Sequence, residues 1–283
     1  MTQQIRHPAV AGQFYEASSE ALRAEIEAAY RDPRGPGELP QVAPGWSGKL
    51  LGLVSPHAGY MYSAPIAAHS FLALAREGRP QHCVVVGPNH GRGSWVSAIQ
   101  TGGAWLTPLA EAPVDAALAT EVAAAVPWLE DNSSAFRGEH SLEVQIPFLQ
   151  HLYGPEFTFV PVMMLDQDLR AARELGEALG RVLQDKAAVI IASTDMTHME
   201  AREVASRQDR LLAERILALD PEGLIRERAR RNITMCGYGP TAAMLFAARA
   251  MGATRAEVFR YGDSGEAHAM RDVVGYLSAG VYR

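Results

Sequence analysis

The stretch LLGLVSPHAGYMYS, Leu50 to Ser63, decides how the rest of the chain is read. Its first six residues are an unbroken apolar run closing on Ser55, the pattern of a strand buried on both faces. Pro56 and Gly59 then bracket His57. The proline fixes φ and removes a backbone donor, and the glycine lets the chain bend or a ligand approach. A buried strand that delivers an imidazole to a tight turn suits a rigid ligand arm. The same pattern recurs twice. Cys83–Val86 runs into Gly87-Pro88-Asn89-His90-Gly91, and Ala187–Ser193 runs into Thr194-Asp195-Met196-Thr197-His198.

Between these strands the spacing alternates with helices. Helical periodicity covers Ser18–Tyr30, Pro65–Arg76 (stopped at Gly78), Asp115–Val126, Ser141–Tyr153 with Pro147 as a kink, and Asp168–Gln184. It returns in Arg202–Leu219, Pro221–Arg230 and Pro240–Met251. Further strands are expected at Trp95–Gln100, Phe157–Leu165, Glu257–Tyr261 and Val273–Val281. The Pro/Gly-rich stretch from Arg31 to Gly45 reads as a surface connection. The length allows one large α/β domain or two small ones, and alternation of this kind predicts a mostly parallel sheet with helices on both faces. The expected architecture is a three-layer α/β/α sandwich around a central, mostly parallel or mixed sheet. In such sheets ligands bind beyond the carboxyl ends of the strands, where His57, His90, Asp195 and His198 all fall.

Bulk composition narrows the function classes. The 283 residues are 48% hydrophobic and 20% charged, with a net charge of −6, which argues against a nucleic-acid or anionic-membrane partner. No apolar run approaches the ~18 residues a membrane span needs, and Met1–Pro8 lacks the apolar core of a signal peptide. Two cysteines, Cys83 in an apolar run and Cys236 in a glycine-rich turn, do not make a disulfide scaffold, so a reducing cytoplasm is expected.

Each polar residue also has a plainer reading. One histidine after a strand is ordinarily a turn or cap residue; two of them, with a third strand ending in Asp-x-x-His, point to a shared ion. Glu139-His140-Ser141 reads either as a helix cap or as a site segment with His140 as proton shuttle. Cys236, just ahead of an apolar helix, reads either as a small turn residue or as a thiol of lowered pKa, a nucleophile or soft ligand. His7, His69, His82 and His151 are assigned structural roles, and His268 lies in a polar loop within reach of a site.

Taken in order, Pro56-His57-Ala58-Gly59-Tyr60, Gly87-Pro88-Asn89-His90, Thr107-Pro108-Leu109, Glu139-His140-Ser141, Ser193-Thr194-Asp195-Met196-Thr197-His198 and Met235-Cys236-Gly237 resemble the Memo family. Its prokaryotic members are called AmmeMemoRadiSam system protein B. Arg6–Tyr15 and Ser278-Ala279-Gly280 fit as well, so the resemblance spans nearly the whole chain. It implies a single domain over residues 1–283 with a fold similar to the class III extradiol (LigB-type) dioxygenases, which hold non-haem Fe(II) with two histidines and a glutamate. In Memo-like proteins the third ligand is a cysteine. Carried over, the metal ligands here would be His57, His90 and Cys236. Asp195, His198 and His140 would be the acid–base groups, and Tyr60, Asn89 and Glu139 would contact substrate. The resemblance implies Fe(II) or copper, with zinc as a further candidate, because a thiolate makes the site soft and disfavours Mg or Ca. It also implies radical-SAM and AMMECR1-like protein partners and a small-molecule or peptide substrate. Three activities fit: a mononuclear redox enzyme, a non-catalytic metal- or peptide-binding partner, and a zinc-type hydrolase.

Overall fold

A computed structural model describes residues 4–92, 94–155 and 157–283. The chain opens with β1 (Ile5–Arg6), α1 (Ser19–Arg31), β2 (Leu50–Ser55), α2 (Tyr60–Glu77) and β3 (His82–Pro88). Short strands β4 (Ala98–Ile99), β5 (Ala104–Leu106) and β6 (Glu111–Pro113) precede α3 (Ala116–Ala125) and β7 (Glu130–Asp131). Then follow α4 (Ile146–Tyr153), β8 (Val160–Met164), α5 (Leu169–Leu183), β9 (Ala188–Ser193) and β10 (His198–Ala201). The chain closes with α6 (Arg202–Leu217), α7 (Pro221–Arg231), α8 (Tyr238–Ala250), β11 (Arg255–Asp263) and β12 (Asp272–Tyr282).

The main sheet runs β10-β12-β2-β9-β3-β8-β4-β7, with β11 on β12. Its centre, β2-β9-β3-β8, is parallel, while β12 and β4 flank it antiparallel. The expected mixed sheet is therefore present, and a small second sheet joins β1, β5 and β6. Strands β2 and β9 are buried at every position, which is why they read as continuous apolar runs and not as alternations. Helix α2 packs on β2 and β12 together with α1 and α4, and α8 covers β2, β9 and β3 with α5 and α7 behind it. Two helical layers enclose the sheet. No helix among the described residues is long and apolar enough to cross a membrane.

Two prolines act differently from their sequence reading. Pro147 does not kink a long helix; it sits in the first turn of α4, after a separate 3-10 turn at Glu143–Gln145, where a missing N–H costs nothing. Pro65 does not start α2, which begins at Tyr60; it lies inside the helix. The Met61 carbonyl that Pro65 cannot serve is reached at 3.4 Å by an Arg34 guanidinium nitrogen. The strand expected over Trp95–Gln100 shrinks to Ala98–Ile99, and β10 arises where no strand was expected.

Helices α5 and α8 meet almost backbone to backbone. A Cβ on Gly176 would fall 2.5 Å from the Ala243 carbonyl oxygen, and one on Gly180 would fall 2.6 Å from Ala250 Cβ. This contact holds α8, and with it the Cys236 turn, against the sheet. Gly176→Val should lower stability by about 1–3 kcal/mol through overpacking, read as a fall in urea midpoint at unchanged m-value. An unchanged midpoint would show that the two helices are not in hard contact.

Candidate metal centre

Because β2, β9 and β3 are parallel and in register, with Ser55 opposite Ser193 and Val86 opposite Ala192, their carboxyl ends share one edge. The two histidine strands are not neighbours. β9 lies between them, so their turns start about 10 Å apart, twice the strand spacing. The turns lean over the end of β9 until the His57 and His90 rings are 5.4 Å apart, edge to face. Cys236, from the turn ahead of α8, enters from the third side with Sγ 3.2 Å from His57 Nε2. One ligand atom from each of His57, His90 and Cys236 lies within 4.8 Å of the others.

The hydrogen-bond network fixes which ring nitrogens are free. Ser193 Oγ has one proton and donates it to the Ser141 carbonyl at 2.6 Å. It accepts from Gln145 Nε2 at 2.8 Å, and the same amide donates to the Pro56 carbonyl at 2.9 Å. Ser193 Oγ can therefore only accept from His57 Nδ1, 2.9 Å away. His57 carries its proton on Nδ1, and its Nε2 lone pair faces Cys236. His90 is oriented by a carboxylate: Nδ1 lies 2.9 Å from Glu139 Oε1, and the His90 backbone N–H donates to Oε2 at 2.7 Å. A histidine whose outer nitrogen is held by a carboxylate or hydroxyl presents the inner one to a metal.

Glu139 is itself buried and saturated, its Oε1 also accepting from the His140 and Ser141 backbone N–H groups. Burial alone would raise its carboxyl, but the His90 hydrogen bond and the charges of His90 and His140 overcome it and hold the group down to about 2. Burial pushes His57 well below the usual imidazole range, helped by His140, His90 and His198. It also lowers His140 to about 4, with His90 and Arg92 adding to the shift and Glu139 opposing it. In the fold His57 is held neutral, the state a metal ligand needs, and His140 beside it is neutral as well.

Cys236 departs from the sequence reading. Burial and the neighbouring Asp195 charge push its thiol up, not down. The helix-start amides that would have lowered it are used elsewhere: Gly237 N–H goes to Thr194 Oγ1 at 2.9 Å and Gly239 N–H to Gln167 Oε1 at 2.9 Å. The Asp195 N–H points at the sulfur, at 3.2 Å. Gln167 Nε2 also donates to the Cys236 carbonyl at 2.9 Å, so one amide clamps both sides of the turn. A thiol in this setting ionises when a cation arrives to stabilise the thiolate.

The other named residues divide by position. Buried Asp195 accepts the His57 backbone N–H at 2.8 Å on Oδ1, and burial raises its carboxyl against the lowering pull of His198 and that bond. His198 Nδ1 lies 2.9 Å from the Thr234 carbonyl, which can only accept, so Nε2 is left free. His140 stacks on His90 at 4.6 Å and meets His57 edge-on at 5.5 Å. Its Nδ1 is buried without a hydrogen bond, 3.4 Å from Glu139 Oε1. Tyr60 is not brought to the donors by its ring tip: its hydroxyl donates to the Val144 carbonyl at 2.8 Å, inside the core. Asn89 braces the His90 turn, donating to the Val96 carbonyl at 2.9 Å and accepting the Gly91 N–H at 2.7 Å. Glu139 likewise faces His90 and not open space. Among the remaining histidines, His82 pairs with Asp115, His69 bonds the Arg34 carbonyl, His151 stacks on Tyr30 and His268 packs near Tyr62. Sequence reasoning assigned nothing to Ser193, Gln145, Thr194 or Gln167. Ser193 stood inside a quoted motif, and Gln145 is a polar residue in an apolar helix start; Gln167 carries no local signal.

Fold and donor set together define an α/β/α-sandwich protein with a three-donor pocket, two imidazoles and a thiol, at the carboxyl edge of its parallel strands. The chain belongs to the Memo-like family, described as Memo-like protein, whose model matches residues 6–280. It is 48% identical over 277 residues to a MEMO1 family protein of Methanopyrus kandleri, covering 96% of this chain and 97% of the relative. A MEMO1 family protein of Methanothermobacter thermautotrophicus is 42% identical over 276 residues, covering 96% and 98%. One from Pyrobaculum aerophilum is 41% identical over 283 residues, covering 99% of each. The crystal structure of an uncharacterized protein from Escherichia coli K12 shares the fold, with a TM-score of 0.54 at 16% identity over 82% of this chain and 99% of that one.

The depressed imidazoles give the metal-free protein a definite pH response. A histidine held neutral in the fold contributes its full share of stability above its unfolded value near 6.5 and loses it as pH falls toward the folded value. Between about pH 6.5 and 4 His140 should cost up to about 1.4 kcal/mol per pH unit, and His57 acts in the same direction. His140→Gln should flatten that slope by one group's share in urea melts across this range. Equal slopes in the two proteins would show that His140 is not buried as a neutral ring.

Proposed function

We propose that this chain is a mononuclear metal protein of the redox type, holding iron or copper between His57 Nε2, His90 Nε2 and Cys236 Sγ. The observation that carries the reading is the pair of locked tautomers, which point two imidazole lone pairs and one sulfur into a space less than 4.8 Å across. Metal–nitrogen and metal–sulfur bonds of about 2.0 and 2.3 Å put such ligands about 3.3–3.6 Å apart, close to the 3.2 Å separation of His57 and Cys236. A nitrogen/sulfur donor set with no free carboxylate suits iron, copper or zinc and disfavours the hard cations. Iron or copper bound there would supply one-electron chemistry with O₂ and leave coordination positions open to a substrate.

The protein's own residues would then handle the protons. His198 Nε2, free because Nδ1 is held by the Thr234 carbonyl, can take a proton from a bound substrate. His140, neutral and with an unmet Nδ1, can relay it, and Asp195 fixes the His57 turn beside them. The substrate is a small molecule or peptide. Radical-SAM and AMMECR1-like proteins are the proposed partners and the cytoplasm the proposed compartment, both on the strength of the family resemblance.

Reconstitution with Fe(II) or Cu(I) without oxygen, followed by elemental analysis and O₂ uptake over a panel of phenols and catechols, tests this reading. The wild type should retain about one ion per chain, as a single three-donor pocket allows. His57→Ala, His90→Ala and Cys236→Ala should each abolish tight retention. Ser193→Ala and Glu139→Gln, which free the orienting nitrogens, should weaken it about 10–100-fold. Failure of the wild type to retain metal would end the proposal. Tight retention of zinc alone, or of iron and copper without any O₂ uptake, would overturn its redox part.

A further inference from the structure

A second cavity, of about 240 Å³, opens between the N-terminal segment, α1 and the first turn of α2. None of the metal donors lines it. Its lining residues include Phe14, Tyr15, Tyr60 and Tyr62, together with Glu16 and Glu25. The polar tips of two of these rings are already used: Tyr15 donates to Glu143 Oε1 at 2.6 Å and Tyr60 to the Val144 carbonyl at 2.8 Å. Both rings are almost wholly buried, so the aromatic surface open to the cavity is that of the half-buried Phe14 and Tyr62.

The two acids are left without a counter-ion. Glu25 Oε2 accepts the Glu16 backbone N–H at 2.9 Å, and no Lys, Arg or His pairs with either carboxyl group among the described residues. Burial, and then the adjacent Glu16, raise the Glu25 carboxyl against the effect of that backbone bond. Aromatic faces carry the negative end of the ring quadrupole, and they stand here beside two unpaired acids. A neutral apolar ligand would bury those acids without compensation, and an anion would be repelled. We propose that this cavity binds a small organic cation, an alkylated ammonium group of a small molecule, held by cation–π contact and the two carboxylates. Ligand pockets for drug-sized molecules run to about 300–1,000 Å³, so this one takes a head group and not a large ligand. The Phe14 ring meets the His140 ring at 4.9 Å, and Gly59 is two residues beyond His57, so the bound cation would sit next to the metal pocket.

The cavity does not depend on a metal, and the test uses the full-length, metal-free chain. Calorimetric titration with choline is compared with its uncharged carbon isostere, 3,3-dimethylbutan-1-ol. Choline should bind saturably, at least about tenfold more tightly than the isostere. The double variant Glu16→Gln/Glu25→Gln should lose at least about tenfold in choline affinity, as should Phe14→Leu. Glu16 is exposed and Phe14 only half-buried, so Glu16→Gln alone, checked by circular dichroism, guards against misfolding of the double variant. Equal binding of choline and the isostere, no saturable choline binding, or choline binding unchanged in all three variants would each overturn the proposal.

Discussion

The centre depends on the single proton of Ser193. That hydroxyl ends the strand lying between the two histidine strands and gives its proton to the Ser141 carbonyl, so it can only receive from His57. One small side chain thereby ties three segments together: β9, the turn after β2 and the segment that carries Glu139 and His140. It also fixes the tautomer of a buried imidazole whose surroundings keep it neutral. A hydroxyl in this position decides which atom of His57 faces the pocket.

Around that hub, the polar groups form a closed network with few loose ends. Buried Arg6 donates to the Phe136 and Glu139 carbonyls at 2.8 and 2.6 Å and pairs with Glu143 at 2.7 Å. Glu143 in turn accepts the Ala9 and Val10 N–H groups and the Tyr15 hydroxyl. The N-terminal segment thus acts as a strap over residues 136–143 and holds the carboxylate that orients His90. Such buried charge networks contribute little net stability, but breaking one leaves uncompensated charge in the core. Their worth here is positional: Glu139 cannot move without disturbing Arg6. His140 Nδ1 beside the donors is among the buried groups left without a hydrogen bond, and the Glu16–Glu25 pair beside the aromatic cavity is left without a counter-ion among the described residues.

Much of this was legible in the sequence, for physical reasons. Strands buried on both faces must be continuous apolar runs, so Leu50–Ser55 and Ala187–Ser193 declared themselves. The parallel arrangement then placed His57, His90 and Asp195 on one edge. Strand order was not legible, because nothing local records that β9 separates the histidine strands. Proline was misread twice, since its effect depends on where a helix starts, which tertiary contacts decide at Tyr60 and Ile146. Of the two readings of Cys236, the one in which a helix start acidifies its thiol did not hold; the amides that would have done so are claimed by Thr194 and Gln167, residues far away in sequence. The family resemblance implied Asn89 and Glu139 as substrate contacts, and their hydrogen bonds are spent on holding the His90 turn.

X-ray absorption at the metal edge of the reconstituted protein tests the central claim most directly. The account requires a first shell containing one sulfur near 2.3 Å and two imidazole nitrogens near 2.0 Å, with the sulfur contribution lost in Cys236→Ser. A shell of oxygen and nitrogen only, or a sulfur contribution that survives that substitution, would contradict it.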